Sequence, residues 1–135
     1  MNSSLEMLLQ LGFEQTGEWQ LRFDQIYFHL ERHGNERNIL YAFVVDETIM
    51  YIGKSTQTLS QRMNGYKNPG STQNTNIGNH AHIRRILEEK GRIMIYVFVQ
   101  KEDVVYRGVK VNLSAGLEDN LNILLKPSWK NLGAS

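Results

Sequence analysis

The chain has 135 residues, no cysteine, 21% charged side chains and a formal net charge of +1. That length suits one domain able to bury a core without staples. The lack of cysteine excludes disulfides, thiolate zinc sites and cysteine nucleophiles, and makes a reducing, cytoplasmic compartment the expectation. Residues 1–12 carry no basic n-region or small-residue cleavage site. No apolar run approaches the ~20 residues that span a bilayer, so neither export nor a membrane is expected. Charge is unevenly distributed: residues 1–38 hold three basic and six acidic side chains, whereas residues 54–92 hold seven basic ones against Glu88 and Glu89. A basic stretch on a nearly neutral protein is the footprint of phosphate contact, although a solvated helix face has the same composition.

Ser3 or Ser4 can cap a short helix whose Leu5, Leu8 and Leu9 share a face before Gly12 ends it. Trp19, Leu21 and Phe23 then alternate with polar residues, and residues 25–30 are apolar and aromatic, which predicts an N-terminal hairpin. Residues 38–53 contain ILYAFVV and IMYIG joined by Asp46-Glu47-Thr48, a second hairpin buried on both faces. From Thr56 the spacing is helical, with Leu59 and Met63 on one face, Arg62 and Tyr66 on the next, and an end near Gly65.

Residues 67–79 are polar and free of acidic groups, a loop long enough to be functional or disordered. Asn79 caps a second helix with Ile83, Ile86 and Leu87 on its apolar face and Gly91 as its stop, and Asn76 is a loop residue. Residues 92–100 form a β-branched and aromatic run typical of a central strand that pairs with the hairpin. After another polar segment, Ser114 caps a third helix bearing Leu117, Leu121, Leu124 and Leu125, and Pro127 terminates it.

Several side chains carry chemistry in this arrangement. Directly opposed strand residues share a face, so a two-residue turn would pair Tyr51 with Ala42 and separate it from Tyr41, while a three-residue turn or a bulge at residues 46–48 pairs it with Phe43 and unites the two hydroxyls. Packing alone also accounts for tyrosines in a hairpin. Arg62 offers a planar fork suited to phosphate, with Tyr66 on its stripe and Lys54 just past the tyrosine strand. Glu118 shares a stripe with Leu121 and Leu125, which points a carboxylate inward, where a hard cation could pair with it. A first-turn glutamate favoured by the helix dipole is the structural alternative. His80 and His82, two apart on a helix, point in nearly opposite directions and cannot share one ion.

Ile39-Leu40-Tyr41, Tyr51-Ile52-Gly53, Arg62, Glu118 and Asn131 together resemble the signature of the GIY-YIG nuclease superfamily. The match covers residues 38–131 and departs where Ile39 replaces the usual glycine and Leu40 the usual isoleucine. The resemblance implies an α/β (α+β) fold: a small antiparallel sheet flanked by helices, in core order β-β-α-α-β-α. Residues 38–135 would form that core and residues 1–37 a helix-and-hairpin extension packed on it, in one compact domain.

It further implies a metal-dependent endonuclease acting on DNA, with RNA as the second candidate; a homo-oligomer is not indicated. Tyr41, Tyr51, Arg62, Lys54, Tyr66 and Glu118 would be catalytic, with Glu118 the ligand of Mg²⁺ or Mn²⁺. Lys54, Arg62, Lys67, Arg84 and Asn131 would contact nucleic acid. Tyr41 would take the proton of the attacking water with Lys54 favouring its phenolate, Tyr51 could exchange roles with it, or the ion alone could activate the water. A catalytically inactive nucleic-acid-binding module of the same fold is the rival, and a structural protein with no nucleic-acid partner is a third reading.

Overall fold

Five extended runs rich in β-branched and aromatic residues build one antiparallel sheet, described over residues 4–129 by a computed structural model. In chain order these are α1 (Ser4–Leu11), β1 (Glu14–Arg22), β2 (Gln25–Leu30), β3 (Ile39–Val45), β4 (Thr48–Ser55), α2 (Leu59–Lys67), α3 (Asn74–Glu88), β5 (Ile93–Phe98), β6 (Val104–Tyr106), β7 (Val109–Val111) and α4 (Leu113–Leu125). The main sheet runs β2-β1-β5-β3-β4, and β6 and β7 form a separate two-stranded sheet. The expected small antiparallel sheet flanked by helices is thus present. No described helix is long and apolar enough to cross a membrane.

The period of two along each strand sorts side chains onto two cores. Trp19, Ile39, Tyr41, Phe43, Tyr51 and Ile95 face α2 and α3 on one side. Leu40, Ala42, Val44, Ile52 and Phe98 face α1 and α4 on the other, against Leu8, Phe13 and Leu121. Covered on both faces, β3 is buried from Ile39 to Val44 and β5 lies at the sheet centre, bonded to β1 and β3. The N-terminal hairpin enters the same sheet through β1, in register Trp19↔Ile93 with β5.

The β3–β4 register decides where the tyrosines point. Asp46 and Glu47 form a two-residue turn with φ of 47° and 66°, which sets Val45 opposite Thr48 and Val44 opposite Ile49. The next pair is Phe43↔Tyr51, so Met50 is an inserted bulge residue. Tyr51 therefore shares a face with Tyr41 as expected, although the extra residue lies in the strand rather than in the turn.

Other expectations need correction. Phe23 is not a strand residue: it sits in the β1–β2 turn at φ 50° and is 95% exposed. The break between α2 and α3 is only residues 68–73, because α3 starts at Asn74 rather than after an Asn79 cap. Asn, Thr and Gly are weak helix formers, which hid this first turn and a half; burial of Asn76 and Asn79 accompanies it. The cap of α4 is Asn112, whose side chain accepts from the Ala115 amide, while Ser114 lies within the helix and donates to the Asn38 carbonyl. The β6–β7 hairpin was unforeseen, since three-residue strands leave almost no periodic signal.

Both turn residues at Asp46 and Glu47 occupy left-handed backbone, which costs non-glycine residues roughly 1–2 kcal/mol each. Changing them together, Asp46→Asn with Glu47→Gly, should therefore stabilise the fold by about 1 kcal/mol. A higher urea midpoint at unchanged slope is the expected readout.

Candidate active site

Tyr41 from β3, Tyr51 from β4, and Arg62 and Tyr66 from α2 meet beneath the tyrosine face of the sheet. Helix α2 is fixed at its start by a capping box in which Thr58 accepts from the Gln61 amide and Gln61 returns the bond. Spacing of four along α2 then stacks Arg62 over Tyr66, with the guanidinium carbon 4.2 Å from the ring centroid.

Arg62 is the centre of the group. Its Nε donates to the Tyr41 hydroxyl at 3.1 Å, and its Nη2 donates to the Tyr66 hydroxyl at 2.8 Å and to Asn76 Oδ1 at 2.9 Å. The Tyr41 and Tyr66 hydroxyls lie 2.5 Å apart, so one donates to the other. Asn76 is held in turn, since its Nδ2 donates to Gln73 Oε1, which also accepts from the Gly70 amide. The partners of this half-buried cation are thus neutral phenols and an amide. Burial opposes its charge, but the Tyr41 and Tyr66 oxygens outweigh that and hold its pKa above the ordinary value.

Burial also pushes all three phenols up. For Tyr41 the rise is large despite the opposing pull of Arg62. Tyr66 is raised well above its usual value by burial and by the other two tyrosines. Tyr51 is raised by burial too, with its neighbours Tyr66 and Arg62 opposing and Glu118 adding to the rise. Phenols in these surroundings are protonated at neutral pH.

Glu118 approaches from α4, on the opposite side of the sheet, and reaches the outer edge of β4. Its side chain is 15% exposed and one oxygen lies 3.9 Å from Lys54 Nζ. Burial raises its pKa, with Lys54 pulling it down through charge and through a bond from its backbone amide. With Asn112 as the cap, Glu118 falls in the second turn of α4, so attraction to the helix dipole does not account for it. Its charge and that of Arg62 act on Tyr51 in opposite directions, Glu118 raising the phenol's pKa and Arg62 lowering it. Beside Lys54, a cleft of about 230 Å³ opens between Asn38, Ser55 and Asn112.

The sequence candidates separate into two groups. Tyr41, Tyr51, Arg62 and Tyr66 converge on one face, and Glu118 pairs with Lys54 from the α4 side. Lys54 is not the cation of Tyr41, however: strand alternation turns it to the other face, opposite Leu40, and Arg62 takes that role. Lys67 lies over the Tyr27 ring at 4.3 Å, and Arg84 is paired with Asp24 at 2.6 Å and Glu88 at 3.2 Å. Asn131 lies outside the described residues. His80 bonds the Tyr66 carbonyl and His82 stacks on Trp129, so they diverge as expected. Among the described residues no group of three or more His, Cys, Asp or Glu gathers to hold a metal.

Sequence reasoning missed Asn76 and Asn79, both buried on the inner face of α3. The available signal was their spacing of three and seven from Asn76 to Ile83 through Asn79, which continues the apolar stripe backwards. Gly53 stands opposite Tyr41, where an added Cβ would lie 2.5 Å from the Tyr41 hydroxyl and 2.9 Å from the Tyr51 ring.

No family model matches the chain, and no curated protein matches it. Among solved structures, the E118A mutant of bacteriophage T4 EndoII shares the fold at a TM-score of 0.72 and 20% identity, over 96% of this chain and 99% of that one. The restriction endonuclease HPY188I, in complex with product DNA, matches at a TM-score of 0.57 and 15% identity, over 99% of this chain and 86% of that one. At these identities the likeness establishes the fold.

The crowding at Gly53 makes a stability prediction. Gly53→Ala forces both tyrosine rings aside and should cost about 1–3 kcal/mol of unfolding free energy, measured by denaturant titration.

Proposed function

We propose that the chain is a metal-dependent endonuclease of the GIY-YIG type that hydrolyses phosphodiesters of DNA. The observation that carries this is Arg62: a half-buried guanidinium oriented by two phenols and an amide, with no carboxylate among its hydrogen-bond partners in the described residues. Such a cation attracts an anion, and a phosphodiester supplies one whose charge grows in the transition state. The fold likeness to T4 EndoII and HPY188I supports the same reading.

The chain's own groups divide the work. Tyr41 and Tyr66 are protonated and buried, and they fix the plane of Arg62 so that its remaining donors face the phosphate. Tyr51, on the same face as Tyr41, directs its hydroxyl to the reacting group. Lys54, half exposed, neutralises Glu118 until substrate arrives and then contacts the backbone at the adjoining cleft.

Glu118 fits a hard divalent ion of the Mg²⁺ or Mn²⁺ type, because it presents one partly desolvated carboxylate whose partner Lys54 lines an open cleft, and such ions bind through one or two carboxylates with water and phosphate completing the shell. The ion would supply acidity for the attacking water and share the charge of the leaving oxygen. The protonated state of Tyr41 favours this version over one in which that tyrosine is the base.

Incubation with supercoiled, linear, branched and single-stranded DNA, with and without Mg²⁺, should give nicking only with the ion. Arg62→Ala should lower turnover by about a hundredfold or more with a smaller loss of binding. Arg62→Lys should rescue poorly, because a point charge lacks the planar fork. Glu118→Gln should abolish cleavage and leave metal-free DNA binding intact. Binding without cleavage by the unaltered chain would instead identify an inactive binding module.

A further inference from the structure

Helix α3 carries two asparagines one turn apart, Asn76 and Asn79, in an interior where asparagine is a weak helix former. Both are buried, at 7% and 2% exposure. Asn76 is explained by its bonds to Arg62 and Gln73. Asn79 is not: its Nδ2 group is buried without a hydrogen-bond partner among the described residues. An unsatisfied buried donor costs roughly 1–3 kcal/mol, which an apolar residue of the same size would avoid.

Asn79 lies on the inward stripe of α3 between Asn76, which bonds Arg62, and Ile83, which packs in the core that holds Tyr51. Its amide makes no hydrogen bond of ordinary length among the described residues, and its presence favours the charged form of Tyr51. Tyr51 is the tyrosine without a tight anchor. Tyr41 and Tyr66 are locked to each other and to Arg62, whereas the surroundings of the Tyr51 hydroxyl are Tyr66, Arg62, Glu118 and Asn79. A phenol oxygen that accepts one hydrogen bond from a fixed donor has its own O–H directed away from that donor.

We propose that Asn79 is a positioning residue for Tyr51, its side-chain N–H reserved for the Tyr51 oxygen so that the phenolic O–H is aimed at the reacting group. The pair tightens when substrate closes on the site, and the unsatisfied donor is the standing cost of that readiness. This rests on the endonuclease reading, of which it adds one working part.

The test uses Asn79→Leu, which keeps the volume and deletes the donor. The melting temperature should stay level or rise, since no group loses a partner. Turnover on DNA should fall by about a hundredfold, while metal-free DNA affinity stays unchanged. In a Tyr51→Phe background the same substitution should add almost nothing, because the two act as one unit. A readout independent of activity separates this inference from the nuclease reading: the ¹⁵N resonance of the Asn79 side-chain amide should shift between the unaltered chain and Tyr51→Phe. If the unaltered chain cleaves no nucleic acid, the endonuclease reading fails and that resonance still reports whether the pair exists. Asn79→Leu turning over normally, additive losses in the double variant, or an unmoved amide resonance would each overturn the proposal.

Discussion

The inserted residue Met50 is the constraint on which the site rests. Side chains in a strand alternate with a period of two, so a slip of one position exchanges the two faces of everything beyond it. The tight turn at Asp46 and Glu47 fixes the first two pairs of the hairpin, and without the bulge it would send Tyr51 to the α4 side of the sheet. With it, Ile49 serves one core and Tyr51 the other. The same shift brings Gly53 opposite Tyr41, giving the phenol room to reach Arg62. A local irregularity thus aligns groups from β3, β4 and α2 that no local rule would gather.

The second determinant is charge held in a medium of low polarity. Arg62 sits among aromatic rings where a bare cation is costly, and its phenolic and amide partners make that tolerable without cancelling its charge. Glu118 is handled differently, paired with a half-exposed lysine at 3.9 Å. Among the described residues one charge is held by neutral partners and the other by an opposite charge. That asymmetry is what the proposed phosphodiester chemistry uses.

Much of this was legible in the sequence, for physical reasons that differ by element. Long apolar runs such as residues 39–45 and 93–98 declare central strands, and the four-residue spacing of Arg62 and Tyr66 declares a helical stripe. The shared face of Tyr41 and Tyr51 followed from demanding an extra residue, although its location did not. What stayed hidden depends on tertiary context. Helix α3 begins in a stretch that propensity assigns to loop, so Asn76 and Asn79 looked like connectors instead of inward-facing groups. Lys54 was assigned to Tyr41 by closeness in sequence, and strand alternation sent it to the other side. The opposite placement of α4 across the sheet, with Glu118 reaching the edge, cannot be read from the periodicity of one helix.

The attachment of α4 to β4 has a further consequence. An outermost strand exposes a row of unpaired amides and carbonyls that can recruit a strand from another molecule. Here outward groups of β4 are occupied in turn: the Trp129 amide donates to the Met50 carbonyl and the Asn122 side chain to the Ile52 carbonyl. The segment that carries Glu118 thereby also covers the sheet against self-templated growth. Trimming Asn122 to a shorter side chain would leave the Ile52 carbonyl open, so a change remote from the candidate site would carry a colloidal penalty.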